Sequence, residues 1–174
     1  MRRKSTATEK QARGRAGEFR VASELCRRNF FASLTMGNVP NVDVLCSNSA
    51  GTKAICIQVK TFRADGNECA VGKNAEKDLG ENFFWILVGL RDKDCEETEE
   101  RFYIIPAKDM AENVTRLYQS WLVSPGKDGK QHHSNDVRKV RIGKVGSRDR
   151  FNFDVSKYKD CWNYIEDALN GERQ

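Results

Sequence analysis

The chain has 174 residues, 39% apolar and 32% charged, with a net charge of +5; these values describe a soluble globular protein long enough to bury a core in one domain. No apolar run approaches the roughly 20 residues of a membrane span, so no membrane partner is expected. The N-terminus is basic, and residues 1–17 are Arg-rich with the single acid Glu9, as in a mitochondrial presequence. No apolar stretch follows where a secretory signal would carry one, and a cytoplasmic protein is the expectation.

In chain order, Thr8-Glu9-Lys10-Gln11 has the spacing of a capping box. A helix is expected from there to about Arg28, with Ala12, Ala16, Phe19, Ala22, Leu25 and Cys26 recurring at three- and four-residue steps. Phe30–Thr35 reads as a short strand, ended by Gly37-Asn38 and Pro40-Asn41. Val42–Cys46 and Ala54–Thr61 are strands separated by the turn-rich Ser47–Gly51. Phe83–Leu90 is almost wholly apolar, as a strand buried on both faces would be. Phe102–Ile105 gives a further strand, stopped by Pro106. Lys108–Leu122 has helical spacing, and Ser124–Asn135 is a polar loop. Val137–Ile142 resembles an exposed strand, and Val155–Leu169 an amphipathic C-terminal helix. The result is an α/β chain with a mixed sheet flanked by helices. Residues 1–12 form a basic arm and 13–123 the core. Residues 124–174 supply a basic loop and strand and a C-terminal helix on the same domain.

Six cysteines, at 26, 46, 56, 69, 95 and 161, include no CxxC half-site, so reduced structural thiols are expected rather than a zinc or disulfide framework. The charge is uneven. Residues 1–28 hold nine Lys/Arg against three acids, and residues 126–150 hold eight against three. Two basic segments around a more acidic middle suit a polyanionic partner, or else a solvated surface and tail.

Three pieces of sequence carry chemistry. Glu18, Val21, Ala22 and Leu25 fall on one helix face, so Glu18 shares an inward stripe. A carboxylate there is costly unless a cation or donor meets it. Glu24 falls elsewhere and reads as surface charge. Asp43 opens an apolar strand in Asn41-Val42-Asp43-Val44-Leu45. Gln58-Val59-Lys60 closes the next strand, and alternation puts Gln58 and Lys60 on one face. Antiparallel pairing through the short turn would bring Asp43 towards them. That set suits phosphodiester cleavage with Mg²⁺ or Mn²⁺, which take hard oxygen ligands. Asp43 would be the principal ligand, joined by the Gln58 carbonyl and the Val59 backbone carbonyl, with Glu18 a further candidate. Lys60 would orient the attacking water and offset charge on the phosphate.

The order Glu18, Asp43, Gln58-x-Lys60 resembles the PD-(D/E)xK nuclease superfamily, which includes type II restriction enzymes, archaeal Holliday-junction resolvases and some homing endonucleases. It is most similar to the branch with Gly-Glu in the first helix and Gln-Val-Lys in the third motif, and the resemblance spans residues 14–106. It implies a restriction-endonuclease-like fold with an αβββαβ core. It also implies a catalytic set of Asp43, Gln58 and Lys60 assisted by Glu18. Two departures stand out: Val42 precedes Asp43 where Pro is usual, and neutral Gln58 stands where an acid is usual. The second removes one negative charge and should weaken metal binding without abolishing activity.

Each residue also has an ordinary reading: Glu18 paired with Arg15, Asp43 as a turn former, Lys60 as a surface cation. Arg13, Arg15, Lys73, Lys77, Arg138, Lys139, Arg141 and Lys144 are candidates to line a DNA groove. His132-His133 reads as a solvated loop, and Trp85, Trp121 and Trp162 as core. The implied activity is a metal-dependent endonuclease acting on double-stranded or branched DNA. The alternatives are a nuclease-fold DNA-binding module with weak or no catalysis, and a protein-interaction domain. Symmetric double-strand cleavage would call for a homodimer.

Overall fold

The computed structural model describes residues 6–35, 39–91, 99–126, 129–143 and 151–171. Helix α1 (Ala7–Arg27) starts two residues earlier than the sequence suggests. Thr6 is its cap and Glu9 completes the box, with the Glu9 N–H donating to Thr6 Oγ1 at 3.2 Å and the Thr6 N–H to Glu9 Oε2 at 2.7 Å. A carboxylate accepts better than the Gln11 amide and suits the positive end of the helix, so the Thr6–Glu9 pair wins over Thr8–Gln11. The helix thus takes in residues 7–12 of the expected basic arm.

Strand β1 (Phe31–Leu34) pairs antiparallel with β2 (Val44–Ser47), and β2 antiparallel with β3 (Ala54–Arg63). After the short β4 (Glu68–Ala70) and a 3-10 turn at Lys73–Glu76, β5 (Phe83–Leu90) returns parallel to β3. Strand β6 (Arg101–Pro106) then pairs antiparallel with β5. The main sheet has the order β1-β2-β3-β5-β6. Pro106 ends β6 and leads into helix α2 (Ala107–Val123), where its fixed φ and missing N–H cost nothing. Strands β7 (Lys139–Arg141) and β8 (Phe153–Asp154) join β4 in a second sheet of order β4-β7-β8. Helix α3 (Asn163–Asn170) ends the described chain.

Strand β5 is buried on both faces, as expected, and its alternation divides two cores. Phe83, Trp85 and Leu87 pack with Met110 and Val114 of α2 and with Cys69, Val140 and Phe153 of the second sheet. Phe84, Ile86 and Val88 pack with Val21 and Leu25 of α1 and with Ile165 and Leu169 of α3. This division explains why residues 155–169 are not one helix. Val155 and Tyr158 belong to the first core, whereas Ile165 and Leu169 belong to the second. The chain must cross between faces, and it does so through a 3-10 turn (Ser156–Tyr158) and Asp160 at φ 53°. The strand expected to be exposed at 137–142 is likewise half internal, with Val140 and Ile142 buried.

Helix α1 presents Gly17, Val21, Glu24 and Leu25 to the protein, while Phe19 stays 62% exposed and Cys26 is exposed. Glu24 is therefore not surface charge. It is only 8% exposed and meets Arg20 at 3.2 Å, Arg27 at 2.9 Å and Arg28 at 3.3 Å. Burial pushes its carboxyl up, but the Arg20 hydrogen bond and the charges of Arg27, Arg20 and Arg28 outweigh burial and hold it below the usual glutamate range. No described helix is long and apolar enough to cross a membrane.

Candidate functional site

The β2–β3 ladder stops at Val44–Ile57, yet β3 runs on to Arg63. A fork opens there, and the next residue back along β2 is Asp43. Thr35 anchors it from β1's side, its N–H donating to the Asp43 carbonyl at 3.0 Å and its hydroxyl to the Val42 carbonyl at 2.6 Å. The Asp43 N–H donates to the Ile57 carbonyl at 2.9 Å. With no β2 residue left to pair with Val59, its N–H donates to Asp43 Oδ2 at 2.7 Å. The Gln58 side-chain nitrogen donates to the same oxygen.

Gln58 and Lys60 lie on one face of β3, beside Trp85 and Leu87 of β5. Gln58 is only 8% exposed. The Lys60 ammonium sits 6.0 Å from the centre of the Trp85 ring, a long cation–π contact in a partly desolvated position. Both residues were expected at the end of a strand; they are in its middle, because β3 continues to Arg63.

Glu18 reaches the fork from the other side of the sheet because α1 lies unusually close at Gly17. A Cβ there would fall 1.9 Å from Thr61 Oγ1 and 3.1 Å from Val88 Cγ1. The absence of a side chain is what lets this helix turn rest on β3 and β5. Glu18 Oε2 accepts from Arg15 Nη1 at 2.6 Å. Its ordinary reading as a partner of Arg15 is thus met, while its position still borders the fork.

Glu18, Asp43, Gln58, Val59 and Lys60 line one cavity of about 360 Å³, with Lys10 and Arg13 on its α1 wall. Lys10 was missed in the sequence. Its signal was the helix face it shares with Arg13, Gly14 and Gly17 at steps of three and four. Gln58 and Lys60 also border a second cavity of about 480 Å³, whose far wall is Gly72, Lys73 and Asn74 with Asp136. Lys60 borders both cavities.

The other basic candidates do not converge. Arg15 is paired with Glu18, and Lys77 is exposed but borders neither cavity. Arg138 is a correction: it is 4% exposed and donates to Glu76 Oε1 at 2.6 Å and to the Asn135 carbonyl at 2.6 Å. Its guanidinium also covers the Tyr118 ring at 3.1 Å. That side chain holds the second sheet to α2 and is not free for a phosphate. Lys139 pairs with Glu68 at 2.7 Å, and Arg141 is half-buried in β7. Lys144 lies outside the described residues. His132, expected in a solvated loop, is half-buried and stacked on Trp121 at 4.2 Å. Trp121 is half-buried, whereas Trp85 and Trp162 are core.

Among the described residues no group of three or more Cys, His, Asp and Glu is arranged to hold a metal ion. A site at the fork therefore has two carboxylates, Glu18 and Asp43, and must draw its other protein ligands from neutral oxygens. The described cysteines are free, Cys46 and Cys69 buried and Cys26 exposed. The chain matches no family model and no curated protein. Among solved structures it is similar to a bacterial homing endonuclease, I-Ssp6803I, at a TM-score of 0.50 and 15% sequence identity. That likeness covers 90% of this chain and 91% of the other. At such low identity it speaks for the fold alone: a mixed sheet flanked by helices.

Proposed function

We propose that the chain is a metal-dependent deoxyribonuclease that hydrolyses phosphodiester bonds of double-stranded or branched DNA. The observation that carries this reading is the meeting of Asp43, Gln58, the Val59 backbone and Lys60 at the β2–β3 fork, with Glu18 lining the same cavity. The donor set fits Mg²⁺ or Mn²⁺, because every available ligand atom is a hard oxygen. Asp43 would be the principal ligand. The Val59 carbonyl and, with its amide turned over, Gln58 Oε1 would join it, and Glu18 is the further carboxylate. A divalent ion held there would supply Lewis-acid polarisation of the scissile phosphate.

The chain's own groups do the rest. Lys60 orients the attacking water and offsets negative charge as it builds on the phosphoryl oxygens. Lys10 and Arg13 on one side and Lys73 on the other would take the phosphates flanking the cut. A homodimer would be required only for symmetric cutting of both strands.

One observation favours a second reading. The Gln58 amide donates to Asp43, and a residue locked in that state would leave a DNA-binding module with weak or no catalysis. Wild type, Asp43→Ala and Lys60→Ala, incubated with supercoiled, linear, single-stranded and four-way-junction DNA in Mg²⁺, Mn²⁺ or EDTA, separate the two. Cleavage by wild type alone, lost in EDTA, is the expected result. No cleavage of any substrate, with binding that still falls steeply as salt rises, would leave the binding module. Binding indifferent to salt would point to a protein partner instead.

A further inference from the structure

Away from the fork, a smaller pocket of about 190 Å³ lies between α2, the 135–139 segment and the approach to β8. Helix α2 supplies Val114, Tyr118 and Trp121 from one face, at steps of four and three. Phe151 and Phe153 close the opposite side. The rings are braced rather than loose. Tyr118 stacks on Trp121 at 5.4 Å and Trp121 on His132 at 4.2 Å. The Tyr118 hydroxyl donates to the Asn135 carbonyl at 3.1 Å and accepts from the Asn135 N–H at 2.9 Å.

Three features define what this pocket would hold. Its charge is already neutralised, because Arg138 meets Glu76 and Lys139 meets Glu68, so it is not an anion site. Its rim includes an exposed apolar residue, Val137, 60% exposed beside the opening. Two amides lie in this apolar lining: Asn135, whose Oδ1 already accepts from the Val137 N–H at 2.9 Å, and Asn152. The Asn152 side chain makes no hydrogen bond among the described residues. Amides offer both a donor and an acceptor.

We propose that this pocket receives an unpaired nucleobase of the DNA strand presented to the fork. The identity of the ligand rests on the nuclease reading; the shape and chemistry of the pocket do not. A base is flat, neutral and aromatic, with donors and acceptors along its edge. The volume is below the roughly 300–1,000 Å³ of drug-sized sites, which suits one base better than a peptide side-chain cluster or a lipid. Continuity with the fork is provided by one segment. Asp136 borders the cavity shared with Gln58 and Lys60, while its neighbours Asn135 and Val137 border the aromatic pocket. In the proposed complex a strand held at the fork would pass along residues 135–137. A paired base would first have to be unstacked, so bulged, flapped or branched DNA is the favoured substrate.

The test uses the full chain carrying Asp43→Ala, so that no cleavage intervenes. Oligonucleotides carry 2-aminopurine at a single-base bulge or at the same position fully paired. Binding of the bulged form should quench the 2-aminopurine emission by stacking, and its affinity should exceed that of the paired form roughly tenfold. Val137→Asp, at the exposed rim, and Phe151→Ala, in the wall, should each remove the quench and bring the affinity ratio to about one. Equal emission and affinity for bulged and paired DNA would overturn the proposal. So would a quench that survives both substitutions in proteins whose circular dichroism matches the parent. Cleavage by wild type without any bulge response rejects the pocket and leaves the nuclease. A bulge response lost in both variants, with no cleavage by wild type, keeps the pocket and rejects the nuclease.

Discussion

Gly17 offers a test of how the fork is assembled. In Gly17→Ala the new Cβ would lie 1.9 Å from Thr61 Oγ1 and 3.1 Å from both Thr61 Cβ and Val88 Cγ1. Rotating the Thr61 χ1 can turn its hydrogen toward the new Cβ, but Thr61 Cβ and Val88 Cγ1 stay at 3.1 Å and a β-branched side chain is stiff at χ1, so the helix must lift. Overpacking of this kind costs about 1–3 kcal/mol, while Ala for Gly in a helix returns about 1 kcal/mol. The net should be a destabilisation of up to about 2 kcal/mol, read by urea unfolding. Gly14 lies one turn earlier with nothing within 4 Å of its would-be Cβ. Gly14→Ala should therefore stabilise by about 0.5–1 kcal/mol. Thr61 Oγ1 is buried without a hydrogen-bond partner, so Thr61→Ala alone should stay within about 1 kcal/mol of wild type. Combined with Gly17→Ala it should recover most of the loss, a coupling of about 1 kcal/mol or more against the roughly 0.3–0.5 kcal/mol expected of independent sites. Cleavage should follow the same pattern, since lifting this turn carries Glu18 away from Asp43, and a misplacement of about 1 Å can cost roughly 100-fold. Simple additivity of the two substitutions, or a Gly17→Ala protein as stable as Gly14→Ala, would refute the close-approach argument.

Three other outcomes follow from the structure. Gln58→Glu should bind Mg²⁺ roughly tenfold tighter by calorimetry, about 1.4 kcal/mol, while lowering the melting temperature in EDTA because two carboxylates then face each other at the fork. Glu24 is held below the usual glutamate range, so its contribution to stability is present above that range and lost as the pH falls through its lowered pKa. Glu24→Gln should cost about 1.5–3 kcal/mol at neutral pH and flatten the acid limb of a stability–pH curve; an unchanged limb would exclude Glu24 as its source. Burial pushes the thiols of Cys46 and Cys69 up to about 12. A thiol reagent at pH 8 should therefore label exposed Cys26 in the native protein and reach those two only on unfolding.

Strand β5 was legible because eight consecutive residues, almost all apolar, admit few other placements. The β2–β3 hairpin was legible because turn residues separate two apolar runs. What could not be read locally depended on partners far away in the chain. Arg138 looks like any basic strand residue until Glu76 and Tyr118 surround it. Three-residue β4 has no period of its own and exists because β7 pairs with it. The run from Val155 to Leu169 has helical spacing, but nothing in the spacing tells that its apolar residues serve opposite faces of one sheet. Glu24 is the instructive miss. Arg20, Arg27 and Arg28 at four, three and four residues from it were visible as helix neighbours, yet only packing against the sheet makes that cluster buried.

The meeting of the candidate residues was more legible than their surroundings, for a physical reason. A carboxylate just before a strand whose partner runs on past it must face that partner's unpaired N–H groups, and Asp43 does so through Val59. The alternation that puts Gln58 and Lys60 on one face is local, and it survives even though both lie in mid-strand rather than at the end. What the residues could not reveal was the state of Gln58. An acid at this position would repel Asp43 and demand a cation to separate the two charges. The Gln58 amide instead donates to Asp43 beside the Val59 N–H, so no cation is needed between the two side chains, and the proposed metal ligation would call for the amide to turn over. On the proposed reading the same residue would steady the metal-free fork and lower its affinity for a metal. That trade-off gives Gln58→Glu opposite effects on stability in EDTA and on Mg²⁺ binding, which loss of a single favourable contact would not produce.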